Sequence, residues 1–451
     1  MLFNYGIIKI YTEYNKSKMG VSIMIIHTVC KNETLESIAE KYCVNPVTLA
    51  VNNGVPKSGK LATGQSLIIV YPKLIHTVKE GESLFIIADL YGVCINQIYR
   101  NNLILRGNPT ICPGMNLIIE IENSFIGEYM TAGYAYPFIG IELLDTSLPA
   151  MSGLIPFTYG FTPDGELVPL NDEQLIFRAK VYGIRYVMHL SSLTSDGNFS
   201  SELAGVLLNN KNLWNILLKN IILNMRRKGY CGLDVDFEFL GAENAIHYAE
   251  FIHFLTINLN KIGFPVMVAL APKISSNQPG ILYEGHNYKA LGNAANSVLL
   301  MTYEWGYTFG PPMAVSPIKS VSRVVEYALT QIKASKIFLG ISNYGYDFIT
   351  PYERGVSKAN SISTTEAIDL ALQYNSEIMY DEEVQSPYFN YTKDNVEHIV
   401  WYEDAKSLNS RLNLLKEYCL KGAIYWNLMR ENPQNLALIN SIISLQRLNL
   451  F

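Results

Sequence analysis

The chain has 451 residues, a formal net charge of −5 and an isoelectric point near 5.9. Because it is acidic and lacks a long basic run, nucleic acid and anionic membrane are poor partners. No stretch approaches about 18 uninterrupted apolar residues, so no transmembrane helix is expected. Six cysteines show no Cys-x-x-Cys spacing, which predicts free, mostly buried thiols and no zinc site. The length suits a barrel of about 250 residues or more joined to smaller modules.

The first recognisable element lies some way into the chain. Residues 1–23 carry no usable pattern, and both Met19 and Met24 precede that element. We interpret 1–23 as an N-terminal extension that is either disordered or the product of a start site placed too early. Charged residues such as Lys9 and Glu13 interrupt any apolar core of a signal peptide. We therefore expect a protein that is made in the cytoplasm and not exported through such a signal.

An internal repeat begins at Ile26. Three segments recur in order: His27–Val29 as His76–Val78, Glu33–Leu35 as Glu82–Leu84, and Gly64–Ile69 as Gly114–Ile119. Each unit is predicted to fold as strand, helix, helix, strand. In the first unit Thr34 can cap one helix and Pro46 can open the next.

The two units, 24–72 and 73–122, resemble LysM modules. These are small βααβ domains that bind glycans containing N-acetylglucosamine, so the resemblance implies a glycan partner. A unit that serves only as a spacer is the alternative. Two copies with almost no linker between them indicate avidity along a repetitive polymer.

After Glu122 the pattern changes to alternating strands and helices, which is typical of an α/β barrel. We predict a TIM (β/α)8 barrel over 123–451 whose active face lies at the C-terminal ends of its strands. The eight predicted strands are Tyr129–Tyr134, Leu154–Phe161, Arg185–Leu190, Gly232–Phe239, Pro265–Ala271, Ser297–Tyr303, Lys336–Ser342 and Gly422–Trp426.

Residues 352–401, between strands seven and eight, are too many for one crossover connection. The segment is rich in Ser, Thr, Tyr and acidic residues, and its aromatic content argues against disorder. We expect a small α+β insertion that forms one wall of the substrate groove.

The fourth strand carries the candidate chemistry. Side chains alternate between the faces of a strand, so Asp234, Asp236 and Glu238 share one face and apolar residues share the other. Like charges raise one another's pKa, and a carboxyl group that keeps its proton at neutral pH can act as a general acid. A solvated strand face and an acidic Mg²⁺ or Ca²⁺ site are the alternatives.

These residues resemble the Asp-x-x-Asp-x-Asp-x-Glu signature of family 18 glycoside hydrolases, with Cys231 in the first position. The resemblance implies that Glu238 protonates the leaving oxygen and then acts as base on water. It also implies that the 2-acetamido oxygen of the substrate is the nucleophile. Asp236, turning toward Glu238 or Asp234, orients that acetamido group. Cys231 puts a supporting hydrogen bond of the family in doubt.

Two further strand ends carry the resemblance. Tyr303 matches the family tyrosine that binds the N-acetyl group, while Glu304 replaces the family aspartate. Trp426 matches the tryptophan that floors the sugar site, although ordinary barrel packing is the alternative for either aromatic residue. We add Asn343 and Tyr134 as candidate substrate-binding residues. Neither a metal ion nor an organic cofactor is expected.

Several longer segments resemble one branch of that family, the spore cortical-fragment lytic N-acetylglucosaminidases of endospore germination. The matching segments are Met301–Gly306 with Gly310–Val315, Gly340–Asp347, Trp401–Asp404, Tyr425–Leu428 and Pro433–Asn435. The resemblance implies a monomeric, spore-associated hydrolase of the coat or cortex that acts on peptidoglycan. A chitinase and a glycan-binding structural protein of the spore coat are the alternatives.

Overall fold

The computed structural model describes residues 24–194 and 198–451. The predicted extension 1–23 lies outside these residues.

Both repeats fold as βααβ units, as predicted. The first consists of Ile25–Thr28, Leu35–Tyr42, Pro46–Asn52 and Ser66–Ile69, with its two strands antiparallel. The second consists of Pro72–Thr77, Leu84–Tyr91, Ile95–Asn101 and Asn116–Ile121, with a 3-10 turn at Leu103–Leu105. Thr34 and Ser37 cap the first helix reciprocally, because each side-chain oxygen accepts the backbone N–H of the other residue.

The residues that recur between the repeats form the same partly buried network twice. His27 lies 3.1 Å from the Tyr42 hydroxyl through Nδ1 and 2.7 Å from Glu33 through Nε2. The equivalent distances around His76 are 3.0 and 2.7 Å. In the first module a backbone bond from Cys30 lowers the pKa of Glu33 to about 2. The repeated motif therefore holds the loop before the first helix of each module.

The barrel is a closed ring of parallel strands. Strand three is divided into Arg185–Tyr186, which pairs with strand two, and Met188–Ser191, which pairs with strand four. The change of partner occurs at Val187, whose N–H donates to the Leu154 carbonyl at 3.0 Å. The other strands are Gly127–Ala135, Gly153–Pro156, Leu233–Asp236, Val266–Leu270, Ser297–Leu300, Ile337–Ser342 and Gly422–Trp426. The predicted TIM barrel is confirmed.

The predicted end of strand two was wrong. The strand ends at Pro156, and Gly160–Phe161 instead forms a small hairpin with Leu167–Val168. The apolar pattern continues past the true end because Tyr159 and Phe161 are buried as well. Strands four and six also end earlier than predicted, so Glu238, Tyr303 and Glu304 lie just beyond regular strand structure, whereas Asp234 and Asp236 lie within strand four.

Helices pack around the outside of the barrel and bury an apolar layer between themselves and the strands. A second core fills the barrel interior, and Leu448 and Leu450 from the C-terminal segment pack into that cluster. The main helices of this part of the chain are Ile141–Ser147, Glu173–Val181, Ser201–Leu208, Lys211–Lys228, Ala245–Asn260, Ile281–Glu284, Tyr288–Ala294, Ile318–Leu329, Ala405–Glu417 and Pro433–Ile442.

The segment between strands seven and eight forms a separate antiparallel sheet with the helix Thr364–Gln373, and it ends with the helix Ala405–Glu417 that leads to strand eight. Its strand order is Asn360–Ser363, Tyr344–Thr350, Val396–Trp401, Ser386–Lys393 and Met379–Asp381. Pairing in this sheet starts at Tyr344, before the predicted bound of 352. Only Asn343 separates barrel strand seven from this strand, and so short a break is not visible in the sequence pattern.

The first module is joined to the barrel through buried polar contacts. Gln434 donates to the Ser66 carbonyl at 2.6 Å and to Asn53 Oδ1 at 3.3 Å, and it accepts the Ala405 N–H at 3.0 Å. The Ser66 hydroxyl donates to Asp404 at 2.5 Å. The second module is anchored similarly, by a 2.8 Å bond from Asn440 to Asn101 and a bond from Arg100 to the Pro149 carbonyl. These contacts attach both modules firmly to the barrel.

All six cysteines are free, but the prediction that most are buried was wrong. Cys231 is partly buried and the remaining five are exposed. Several exposed ones lie where the backbone turns: Cys43 and Cys419 have positive φ, and Cys94 precedes a helix. Within residues 24–194 and 198–451, none of the helices is long and apolar enough to cross a membrane.

Candidate active site

Two buried aspartates line the inner face of strand four. Asp234 is 0% exposed and accepts a 2.7 Å hydrogen bond from the Tyr134 hydroxyl, which reaches it from strand one. Burial raises the pKa of Asp234 to about 6, although the nearby His189 and the Tyr134 bond act in the opposite direction. The charge of Asp236 adds to the increase. The structure thus brings together two of the predicted acids and one predicted substrate-binding residue.

Glu238 follows the same strand and lies partly exposed in the groove. Burial raises its pKa well above the ordinary value, and the charges of Asp236 and Glu304 raise it further. A raised pKa favours the protonated form of the carboxyl group, which is the form that a general acid needs. Among the described residues, no group of three or more His, Cys, Asp or Glu side chains is arranged to hold a metal ion.

The backbone that carries Glu238 is held by His286, which the sequence reasoning missed. The Ala271 N–H donates to its Nδ1 at 2.9 Å, so Nε2 bears the hydrogen and donates to the Phe237 carbonyl at 3.0 Å. Burial lowers the pKa of His286 to about 4, so the ring stays neutral and keeps this tautomer. The position of the residue before Glu238 is fixed in consequence.

Tyr303 and Glu304 follow strand six. Burial, with the charges of the nearby acids, raises the pKa of Tyr303, so its hydroxyl remains a hydrogen-bond donor. Glu304 adopts a positive φ of 63° and accepts hydrogen bonds from the hydroxyls of Tyr344 and Tyr346. Both tyrosines come from the first strand of the inserted sheet. The insertion therefore holds one carboxylate of the site.

Trp426 ends strand eight and joins a cluster of aromatic rings there. Its ring centroid lies 5.5 Å from that of Tyr134 and 4.8 Å from that of Phe157. Asn343 is buried after strand seven, and its Oδ1 has no hydrogen-bond partner among the described residues. An unpaired buried carbonyl oxygen of this kind can accept a hydrogen bond from a ligand.

Cys231, at the first position of the family signature, lies away from the acids. It precedes strand four at the opposite end of the barrel and lines a cavity of about 480 Å³ with Arg185 and Arg447. Burial raises its pKa to about 11, which keeps the thiol protonated. The residues that line this cavity do not include Asp234, Asp236 or Glu238.

Comparison with known protein families identifies the class of this barrel. The family model Glycosyl hydrolases family 18 matches residues 186–431, and the LysM domain matches 27–70 and 76–120. The chain therefore belongs to glycosyl hydrolase family 18 and carries two LysM domains. Both predicted resemblances are confirmed, as is the prediction that the protein is a glycoside hydrolase.

Individual relatives extend the comparison. The cortical fragment-lytic enzyme of Bacillus subtilis (strain 168) is 40% identical over 295 residues, which is 65% of this chain and 68% of that protein. The structure of the Bacillus cereus spore cortex-lytic enzyme SleL is similar with a TM-score of 0.79 and 31% identity, covering 94% of this chain and 99% of SleL. The structure of the Bacillus megaterium QM B1551 spore cortex-lytic enzyme SleL is similar with a TM-score of 0.80 and 33% identity, covering 95% of this chain and 100% of that protein.

Proposed function

We propose that the protein hydrolyses N-acetylglucosaminyl bonds in spore-cortex peptidoglycan fragments. The position of Glu238 just beyond a barrel strand that carries the buried Asp234 and Asp236 is the observation that carries the proposal. Membership of family 18, the two LysM domains and the similarity to cortex-lytic enzymes support the choice of polymer. The protein acts as a monomer associated with the spore coat or cortex.

The reaction follows substrate-assisted retaining catalysis. Glu238 gives its proton to the leaving oxygen while the 2-acetamido oxygen of the bound sugar attacks the anomeric carbon. The glycosidic bond breaks and an oxazolinium ion forms. The Glu238 carboxylate then takes a proton from water, whose oxygen opens that ring and restores the sugar with its original configuration.

The two aspartates orient the acetamido group and stabilise the positive charge that develops on it. Asp236 turns from Asp234 toward the substrate, accepts a hydrogen bond from the acetamido N–H and offsets the positive charge of the ring. Asp234 is kept in place by Tyr134 at 2.7 Å. The Tyr303 hydroxyl donates to the acetamido oxygen and aligns it with the anomeric carbon.

The sugar rests on Trp426, whose position among the aromatic rings at the end of strand eight restricts its movement. Glu304, which is exposed, and the unpaired Oδ1 of the buried Asn343 accept hydrogen bonds from the sugar. The LysM modules bind the same polymer beyond the groove. Because they are fixed to the barrel by buried contacts, they present it in a constant orientation.

The products of a digest test this proposal. Purified cortex fragments are incubated with the protein, reduced with borohydride and analysed by mass spectrometry. Reduced N-acetylglucosamine at the new ends is expected. Reduced muramic acid at those ends means a muramidase and contradicts the proposal, and faster cleavage of chitin oligomers than of cortex fragments means a chitinase.

Two variants assign the activity to the acid. Glu238→Gln keeps the shape of the side chain but removes the transferable proton, so turnover falls about 10²-fold or more. Glu243→Gln, on the exposed turn that follows, is the matched control and keeps wild-type turnover. Glu238→Gln activity within a few-fold of wild type would exclude Glu238 as the acid. Binding without turnover by the wild type would indicate a structural glycan-binding protein.

A further inference from the structure

A buried histidine lies beside the two aspartates of strand four. His189, on strand three, is 0% exposed and pairs in register with Asp234. Its Nε2 lies 3.6 Å from Asp234 Oδ2 and 3.7 Å from Asp236 Oδ2. Both distances exceed hydrogen-bond length, so the nitrogen faces both carboxylates without being bonded to either.

Three polar atoms in this cluster lack a hydrogen-bond partner among the described residues: His189 Nε2, Asp234 Oδ1 and Asp236 Oδ1. Buried polar groups are nearly always paired, and an unpaired one is costly. These three atoms are therefore free to form hydrogen bonds that the present arrangement does not make.

The orientation of the ring is fixed. Nδ1 lies 2.6 Å from the Thr158 hydroxyl oxygen, and the Phe157 ring covers the imidazole at a centroid distance of 4.8 Å. The Tyr134 ring meets it edge-on at 5.4 Å. Because Nδ1 is held by Thr158, the other nitrogen must point toward the carboxylates.

A nitrogen lone pair aimed at two carboxylates would be repelled by both. The hydrogen of the imidazole therefore lies on Nε2, where it is directed between Asp234 and Asp236. The remaining titratable groups that act on this pair of carboxylates are Tyr134, Glu238, Tyr248, Tyr303 and His286. His286 donates its Nε2 hydrogen to the Phe237 carbonyl, so His189 is the basic side chain that faces both carboxylates.

We propose that His189 is a positioning residue that supplies a hydrogen bond to Asp234 when Asp236 turns toward the substrate. This inference rests on the proposed function, in which Asp236 makes that turn. Among the described residues, Asp234 accepts one hydrogen bond, from Tyr134, within a fully buried site. A small approach of Nε2 from 3.6 Å to about 2.9 Å provides a second donor and stabilises the lone carboxylate.

Two substitutions distinguish the effect of losing the hydrogen-bond donor from the effect of losing the volume of the ring. His189→Met removes the N–H but keeps an apolar side chain of similar size, whereas His189→Gln keeps an N–H near the position of Nε2. His189→Met is expected to lower kcat about 10-fold or more. KM stays within about two-fold because the ring does not reach the groove, and the acidic limb of the pH profile moves to higher pH. His189→Gln restores most of kcat and the profile.

His398→Gln is the matched control, because His398 pairs with Asp347 at 2.9 Å in the inserted sheet and should not affect the pH profile. Equal losses of kcat in His189→Met and His189→Gln with unshifted profiles would indicate a purely structural role and overturn the inference. If His189→Met does not fold, Thr158→Val provides the test, since it releases the ring and should shift the profile in the same direction.

A second measurement does not depend on activity. In ¹⁵N-histidine NMR spectra of the wild-type protein at pH 6, the resonance that His189→Gln removes is expected to show a protonated Nε2. An unprotonated Nε2 contradicts the inference even in an active enzyme. A protonated Nε2 in a protein that does not cleave cortex fragments refutes the proposed function and leaves the donor geometry standing.

Discussion

The Tyr134 hydroxyl offers a direct test of how the site controls its charges. It donates to the fully buried Asp234 at 2.7 Å and opposes the increase in pKa that burial causes. Tyr134→Phe removes this donor and leaves the ring in its packing against Trp426. The variant therefore changes one hydrogen bond to a carboxylate and little else.

The magnitude follows from that bond. A hydrogen bond to a charged group contributes about 1.5–3 kcal/mol, and about 1.4 kcal/mol corresponds to one pKa unit. The pKa of Asp234, about 6 in the intact site, should therefore rise by about one to two units. At pH 7 the carboxylate is then about half ionised or less, whereas it is about nine-tenths ionised in the wild type.

The assay is kcat/KM on soluble cortex fragments between pH 4 and 9. The acidic limb reports ionisation of the coupled aspartates in the free enzyme, so it should move to higher pH in the variant. Tyr425→Phe is the control: it removes a buried hydroxyl that donates to Asn435 and lowers stability without moving the limb. An unshifted limb in Tyr134→Phe would refute the assignment of this bond.

Three further predictions concern charge and attachment. Because the charge of Glu304 raises the pKa of Glu238, Glu304→Gln should move the alkaline limb of kcat to lower pH; an unchanged limb would contradict this coupling. Burial raises the pKa of Glu403 from 4.5 to about 7, so the folded state holds its proton where the unfolded state has lost it, and stability falls across that range. As the pH rises from 5 to 8, the Tm of Glu403→Gln should therefore increase relative to that of the wild type. A Tm difference that does not change with pH would contradict this prediction. Gln434→Ala breaks three buried bonds and should cost about 2–3 kcal/mol in chemical denaturation, whereas Gln446→Ala, on the surface, should stay within about 0.5 kcal/mol.

The sequence predicted the parts of the site that follow from spacing. Alternation along one strand identified Asp234, Asp236 and Glu238 together, because a period of two places such residues on one face whatever surrounds them. Trp426 was named because it matches the family tryptophan at the end of a strand that the helix and strand pattern predicted. The inference about the acids needs only the local geometry of a strand and the rule that a barrel places its chemistry at the C-terminal strand ends, whereas the inference about Trp426 also needs the resemblance to the family.

The residues that support those acids were missed for a physical reason. His189 and His286 act through neighbours on other strands or loops, and no sequence spacing connects them to strand four. A histidine inside an otherwise apolar strand was the one available signal for His189. The tyrosines that hold Glu304 lie in the Gly340–Asp347 segment that resembles the family. Their pairing with that carboxylate, however, depends on how the inserted sheet folds back on the barrel.

The buried attachment of the modules sets a limit on where the hydrolase can work. A module on a flexible tether lets a catalytic domain sample many bonds around one bound sugar, with a local concentration set by the length of the tether. Here the bonds from Gln434 and Asn440 instead hold the modules at a fixed distance from the groove. While a module is bound, the groove therefore reaches only the glycosidic bond at that distance along the glycan. To cleave another bond, the module must release the glycan and bind it again. The products should consequently show preferred lengths that reflect the distance between module and groove.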